Sequence, residues 1–179
     1  YDVYKGQFVL CYRDEYAKIL SSAQNGFQVN TITEWLSGLD VASIKVIDSK
    51  RKSQKALTTY KLLAHCSEKT ALPETEDIWQ QIFSKFGLTL NIASVGCCGM
   101  AGTYGHELEH FENSKGIYEL SWSQHATLPQ ANNDSVSTLT KKVAAEQILV
   151  TGYSCRSQVK RFEQYRPKHP IEVLATLLR

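Results

Sequence analysis

A pattern of an apolar strand, a cysteine-bearing loop and a helix occurs three times in this chain and constrains its fold most strongly. The three strands are predicted at 59–64, 88–95 and 147–151. Strands that alternate with helices in this way are typical of a parallel sheet. The pattern therefore predicts an α/β fold with a mainly parallel, Rossmann-like sheet of about four strands and helices on both faces.

The predicted helices are marked by apolar stripes and by the residues that begin or end them. After Pro73, apolar side chains recur at helical spacing until Gly87, which is a typical helix stop. A long helix is predicted over 106–125, and a basic helix follows the third strand. Pro170 begins a terminal amphipathic helix.

The first part of the chain carries a weaker pattern. An apolar run at 7–10 and a helix at 14–20 would supply the fourth strand and its crossover. Thr31 with Glu34 three residues later is a capping-box signature, which predicts a short helix that ends at Gly38 or just after.

Two polar segments interrupt the pattern. The lysine-rich segment 48–55 is predicted to be a linker, and it gives a soft boundary between a first part, 1–57, and a second part, 58–179. The Asn/Asp/Ser-rich segment 129–137 is predicted to be an exposed loop.

Length and charge exclude several classes of protein. A chain of 179 residues fits one domain, and a net charge of +2 with dispersed basic residues gives no nucleic-acid footprint. No apolar run approaches the roughly 18 residues of a membrane span, so a cytoplasmic protein without a transmembrane segment is expected. Because residue 1 is Tyr, the chain is expected to be a piece of a larger polypeptide.

The cysteines carry the main prediction of a site. Cys66, the Cys97-Cys98 pair and Cys155 each follow a predicted strand, and the carboxyl ends of parallel strands lie along one edge. Helix N-termini nearby would lower the thiol pKa values and make the thiols oxygen-sensitive. A soft-metal or iron–sulfur site is predicted there, with Cys11 outside it.

Two alternatives remain open for these cysteines. They could be small buried residues that pack at strand ends, or they could form a redox disulfide or include a nucleophile, although no Cys-x-x-Cys motif occurs. Gly96 and Gly99 flank the vicinal pair, and they suggest a backbone that lets a bulky inorganic group approach.

Polar residues beside the cysteine loops are secondary candidates. His65, His106 and His169 could be additional metal ligands, or they could have capping and packing roles. Gln158 could donate a hydrogen bond to a sulfur or a ligand oxygen, or it could be an exposed helical residue.

Two arginines also lie beside cysteine loops. Arg13 and Arg156 could neutralise an anionic thiolate cluster, or they could form surface salt bridges. Sequence alone does not choose between these roles.

Four strings together resemble a known family. They resemble the cysteine-rich Cys-Cys-Gly domain, and in particular its version at the C-terminus of large FAD-linked oxidases that also carry a ferredoxin-type domain. The strings are Ala64-His65-Cys66, Gly96-Cys97-Cys98-Gly99-Met100-Ala101-Gly102-Thr103-Tyr104-Gly105, Gly152-Tyr153-Ser154-Cys155-Arg156-Ser157-Gln158 and His169-Pro170-Ile171-Glu172-Val173-Leu174.

The resemblance is strong over 58–179, whereas 1–57 looks like the tail of a preceding cysteine-rich repeat and a linker. In the wider family, which includes heterodisulfide reductase and glycolate oxidase iron–sulfur subunits, the repeat ends in Cys-x-x-Cys. Gln158 stands at that last position here, so a cluster bound by the full set would lose one thiolate.

The resemblance implies an electron-transfer module. The parent would be an FAD-dependent dehydrogenase of D-2-hydroxy acids such as D-lactate or D-2-hydroxyglutarate. This chain would hold an iron–sulfur cluster of the 4Fe-4S type, or zinc, on Cys66, Cys97, Cys98 and Cys155. FAD would belong to the parent, whose FAD-binding and ferredoxin-type domains would be the partners, and this chain alone would not be catalytic.

Two other functions stay open. The chain could be a structural or zinc-binding domain that only assembles the oxidoreductase. It could also be a thiol/disulfide reductase module that resembles heterodisulfide reductase.

Overall fold

The protein is described by a computed structural model over residues 30–41, 59–128 and 138–177. Several predictions lie outside these residues. They concern the strand at 7–10, the helix at 14–20, the linker at 48–55, the loop at 129–137, and the positions of Cys11 and Arg13.

A small parallel sheet forms the centre of the fold. Its strands are β1 (Thr59–Leu63), β2 (Thr89–Ile92) and β3 (Ile148–Val150). The strand order is β2-β1-β3, and β1 pairs in parallel with both neighbours. The predicted α/β fold with a mainly parallel sheet is confirmed, with three strands among the described residues against the four expected for the whole chain.

The register of the sheet brings the carboxyl ends of all three strands to one edge. Leu62 of β1 pairs with Ile92 at the end of β2, and Leu63 pairs with Val150 at the end of β3. The loops that follow the three strands therefore start side by side.

Helices lie before, between and after the strands. Among the described residues, no helix combines the length and apolar character needed to cross a membrane. The helices are α1 (Ile32–Ser37), α2 (Cys66–Ala71), α3 (Thr75–Lys85), α4 (Phe111–Ser121), α5 (Ser123–Ala126), α6 (Thr138–Gln147), α7 (Tyr153–Glu163) and α8 (Pro170–Leu177).

Local sequence signals explain where α1 begins and ends. The Thr31 hydroxyl accepts from the Glu34 N–H at 3.2 Å, and the Glu34 carboxylate accepts from the Thr31 N–H at 2.6 Å. Gly38 follows as the C-terminal cap. The predicted capping box and the predicted end of this helix are confirmed.

Two apolar clusters cover the two faces of the sheet. Tyr60 and Leu62 of β1 belong to the first cluster together with the stripe of α3 and the apolar face of α8. Leu63 belongs to the second cluster with residues of α4 and α7. Neighbouring β1 residues thus pack on opposite faces, as the alternation of side chains along a strand requires, and helices lie on both faces as predicted.

The long helix predicted over 106–125 is wrong in its first part. Two 3₁₀ turns, Tyr104–His106 and Leu108–His110, precede α4, which begins at Phe111. In the first of these turns, Gly105 packs tightly, since a Cβ atom there would lie 2.8 Å from both Met100 Sδ and Ser114 Oγ of α4. The chain thus folds back against α4 before the helix begins.

Candidate metal centre

The cysteines lie at the carboxyl edge of the sheet. Cys66 is the first residue of α2, three positions after β1, and Cys155 is in the first turn of α7 after β3. Cys97 and Cys98 lie in the loop after β2. Each of the three adjacent strand ends therefore contributes cysteine to the same edge.

The four thiols lie in one row of neighbours. Side-chain interactions join Cys66 to Cys97, Cys97 to Cys98, and Cys98 to Cys155. Cys66 and Cys97 are half-buried, whereas Cys98 and Cys155 are buried, and none of them is in a disulfide. The structure thus brings together all four cysteines that the sequence singled out, although 89 positions separate the first from the last.

The pKa values of Cys66, Cys97 and Cys98 are raised, which corrects the expectation of low-pKa thiols. Burial and the neighbouring Cys97 raise the pKa of Cys66. The hydrogen bond to Cys98 and burial raise the pKa of Cys97, and the hydrogen bond to Cys155 and burial do the same for Cys98. The helix N-termini do not dominate, because Cys66, Cys97 and Cys98 have lost water and lie beside other thiols.

Backbone N–H groups also contact the sulfurs. The N–H of Gly99 donates to Cys97 Sγ at 3.4 Å. Backbone N–H groups of Ser67 and Met100 lower the pKa values of Cys66 and Cys98, against the larger effects that raise them. Such donors stabilise thiolates, which are the form that binds metal.

The row is open rather than closed into a tetrahedron. Among the described residues, the only three metal-binding side chains with all ligand atoms within 4.8 Å of one another are Glu107, Glu109 and His110, on the exposed turn before α4. No three of the four cysteine sulfurs lie within 4.8 Å of one another. Because thiolates on one tetrahedral ion lie only about 4 Å apart, the row as placed fits a group wider than one ion.

The loop of the vicinal pair is held from several sides. Hydrogen bonds reach the peptide groups immediately before and after Cys97 and Cys98, so the two sulfurs are presented by a fixed backbone. The bonds are Lys69 Nζ to Val95 O, Gly96 N to Ser121 Oγ, Trp122 Nε1 to Gly96 O, Gln158 Nε2 to Cys98 O and Ser114 Oγ to Gly99 O.

Gly99 serves packing, not space for a ligand. Its φ is +86°, and a Cβ atom there would lie 2.2 Å from the carbonyl oxygen of Ser114. The interpretation that Gly96 and Gly99 leave room for an inorganic group is therefore wrong for Gly99, which is required because α4 approaches the loop so closely.

His65 joins two of the cysteine loops. Its Nδ1 accepts from the Ser67 N–H at 3.0 Å and caps α2, and its Nε2 lies 3.3 Å from Ser154 Oγ. Its own N–H donates to Thr151 Oγ1 at 3.0 Å. Both ring nitrogens are therefore occupied in positioning Cys66 beside the loop of Cys155, and the structure gives His65 the capping role.

The other two candidate histidines, His106 and His169, have different surroundings from His65. His106 is exposed in the first 3₁₀ turn. His169 Nδ1 accepts from the Ile171 N–H, and its ring packs edge-on against Trp79 in the first apolar cluster, whereas Cys98 and Cys155 belong to the second. Burial, followed by nearby positive charge that includes Arg156, lowers the pKa of His169 to about 3, so it is neutral at physiological pH.

Gln158 is buried beside the vicinal pair and is not an exposed helical residue. It lies one turn after Cys155 on α7, and its Nε2 donates to Cys98 O at 3.0 Å and to Ser114 Oγ at 2.7 Å. It thus connects α7, α4 and the vicinal loop.

Arg156 forms a salt bridge that joins two segments of the fold. Its Nε donates to Pro167 O at 2.8 Å, and its NH2 lies 2.5 Å from Glu172 Oε1. These contacts tie α7 to the segment before α8, which is the salt-bridge alternative for this residue.

Sequence reasoning missed Ser114 and Ser154. Ser114 is fully buried and bonds both Gly99 O and Gln158 Nε2. Nothing in the local pattern of α4 marks it, because its partners are distant in sequence. Ser154, adjacent to Cys155, could have been noticed as a polar neighbour of a cysteine.

Comparisons with known proteins identify relatives of this chain by sequence. The chain is 44% identical over 171 residues to D-2-hydroxyglutarate dehydrogenase of Pantoea ananatis, covering 95% of this chain and 15% of that protein. It is 40% identical to D-2-hydroxyglutarate dehydrogenase of Escherichia coli, again over 15% of that protein. A subunit of the anaerobic glycerol-3-phosphate dehydrogenase of E. coli is 25% identical over 93% of this chain and 37% of its own length.

No family model and no solved structure matches the chain. The chain spans about 15% of the length of the D-2-hydroxyglutarate dehydrogenases that it matches. It is therefore similar to one segment of larger oxidoreductases.

Proposed function

We propose that this chain is a metal-binding electron-transfer module of an FAD-dependent D-2-hydroxy-acid dehydrogenase, and that Cys66, Cys97, Cys98 and Cys155 hold an iron–sulfur cluster. The observation that carries the proposal is the single row of four thiols at the carboxyl edge of the sheet. When bound, the cluster would accept and release single electrons.

The residues of the chain fit this group in three respects. Thiolates are the usual ligands of iron–sulfur clusters, and backbone N–H groups already donate to the sulfurs. The vicinal loop is fixed by its hydrogen bonds, so little rearrangement is needed for binding. The open row suits a cluster better than a single tetrahedral ion.

The relatives support the substrate class of the parent. Two relatives that match nearly the whole chain are named D-2-hydroxyglutarate dehydrogenase. We therefore propose D-2-hydroxyglutarate as the substrate of the parent, whose FAD-binding and ferredoxin-type domains would exchange electrons with this module.

Anaerobic reconstitution tests the module. The chain is incubated with ferrous iron and sulfide, desalted, and examined by visible absorption. A broad charge-transfer band that bleaches on reduction supports the proposal. A colourless product that retains zinc instead supports an assembly domain, and turnover of a disulfide substrate supports a thiol/disulfide reductase; either result contradicts the proposal.

The purified chain alone should not oxidise D-lactate or D-2-hydroxyglutarate. Hydride removal needs an acceptor such as flavin, and the sequence contains no flavin-binding pattern. An assay with an artificial dye, with and without added FAD, measures this. A rate above that of a blank without protein would contradict the assignment of the chemistry to the parent.

A further inference from the structure

The two ends of the Gln158 side-chain amide have very different surroundings. Its Nε2 donates to Cys98 O and to Ser114 Oγ. Its Oε1 is buried and has no hydrogen-bond partner among the described residues. Gln158 itself is fully buried.

The orientation of this amide is fixed by its neighbours. Besides Cys98 O, the carbonyl oxygen of Ser114 lies 3.5 Å from Nε2. Exchanging the two ends of the amide would place Oε1 against two carbonyl oxygens, neither of which can donate. The unpaired atom is therefore the oxygen.

An unsatisfied buried carbonyl is costly. Such an acceptor has lost its hydrogen bonds to water and gained none in the protein. An amide oxygen carries only lone pairs, so a hydrogen-bond donor or a cation must satisfy it. Four deprotonated thiolates would offer no donor, whereas the metal they bind is a cation.

The Gln158 side chain lies at one end of the cysteine row. Residues three apart lie on one face of a helix, so Gln158 and Cys155 share a face of α7. Its amide also bonds the carbonyl of Cys98, whose thiol neighbours Cys155 in the row. The side chain that carries the unpaired oxygen is therefore held at the Cys98–Cys155 end of the row.

We propose that Gln158 Oε1 is a neutral oxygen ligand of the metal group held by the four cysteines; this inference rests on the proposed function. The amide nitrogen fixes the vicinal loop, and the amide oxygen completes the donor set. Because the oxygen is uncharged, the centre carries one negative charge less than a further thiolate would give it, and the bond is weaker than a thiolate bond.

Cobalt(II) binding to the chain tests this ligand under anaerobic conditions, because its visible ligand-field bands report the donor atoms. Gln158→Leu removes the oxygen and should weaken cobalt binding by more than about 10-fold and shift the bands. Ser114→Ala is the control for effects through the vicinal loop, since it removes the hydrogen bonds to Gln158 Nε2 and to Gly99 O and leaves the Gln158 amide in the chain. This control should shift the bands much less than Gln158→Leu.

The outcomes separate this inference from the proposed function. If wild type binds cobalt and Gln158→Leu gives the wild-type spectrum, the oxygen ligand is refuted and the metal module stands. If both variants shift the bands alike, Gln158 acts only through the vicinal loop and the ligand is again refuted. If wild type binds no cobalt, the oxygen ligand is refuted, whereas the proposed cluster stands or falls with the reconstitution by iron and sulfide.

The wild-type complex provides a test should Gln158→Leu fail to fold. Its X-ray absorption spectrum should show an oxygen beside sulfur in the first shell. Its electron paramagnetic resonance spectrum should not broaden in water enriched in the magnetic oxygen isotope. A shell of sulfur alone, or broadening that identifies the oxygen as water, overturns the inference.

Discussion

Replacement of Gly99 by alanine should lower the free energy of unfolding by about 3 kcal/mol or more. Its φ of +86° lies in the region that alanine adopts only with strain, which costs about 1–3 kcal/mol. The new Cβ would also lie 2.2 Å from Ser114 O, a contact with backbone that cannot rotate away, and overpacking adds about 1–3 kcal/mol. The vicinal loop must therefore move away from α4.

Gly116→Ala is the matched control for this substitution. Gly116 lies inside α4, and nothing lies within 4 Å of a Cβ atom added there. Alanine should stabilise the helix by about 1 kcal/mol at this position. Urea unfolding followed by circular dichroism measures both variants, and a Gly99→Ala midpoint equal to that of wild type would contradict the close packing of the loop.

Metal affinity should rise steeply with pH. The pKa values of Cys66, Cys97 and Cys98 are raised, so these thiols are protonated near neutral pH. Metal binds the thiolates, and each thiol that binds releases one proton. If all three bind, the apparent association constant increases by about 1,000-fold per pH unit between about pH 6 and pH 7.

A competition titration of zinc against a chelator of known pH dependence measures this slope. Cys11→Ser serves as the control, because Cys11 is predicted to lie outside the row, and it should give the wild-type slope. A change of tenfold or less per pH unit would mean that at most one proton is displaced, which contradicts a shared thiol site. In the metal-free protein the pH dependence has the opposite sign. There the free energy of unfolding falls as pH rises above about 8.5, the ordinary thiol pKa.

The predictable parts of the fold rest on local signals. The capping box of Thr31 and Glu34 is complete within four residues, and the apolar stripe before Gly87 directly specifies α3. The strands could be read as apolar runs followed by cysteine loops. The prediction that cysteines gather at one edge needed only the general property that parallel strands end together.

The parts that could not be predicted depend on contacts between distant residues. Helix α2 is capped by His65, which is not among the usual N-cap residues, so no local signal predicted the start of this helix. The break before Phe111 arises where Gly105 meets Met100 and Ser114.

The prediction of low thiol pKa values was wrong for the same reason. Helix N-termini lower thiol pKa values in general, but here the neighbouring thiols and burial raise the pKa values of Cys97 and Cys98. That arrangement depends on side-chain positions contributed by three different strand ends. The burial of Gln158 likewise depends on Cys98 and Ser114, neither of which is near it in sequence.

Iron retention by single cysteine variants tests the four-cysteine site most directly. Cys66→Ser, Cys97→Ser, Cys98→Ser, Cys155→Ser and the control Cys11→Ser are reconstituted anaerobically with iron and sulfide, desalted and assayed for bound iron. Each of the four row variants should lose most of its iron relative to wild type, whereas Cys11→Ser should retain the wild-type amount. Full iron retention by Cys155→Ser or Cys66→Ser, at either end of the row, would contradict the shared site.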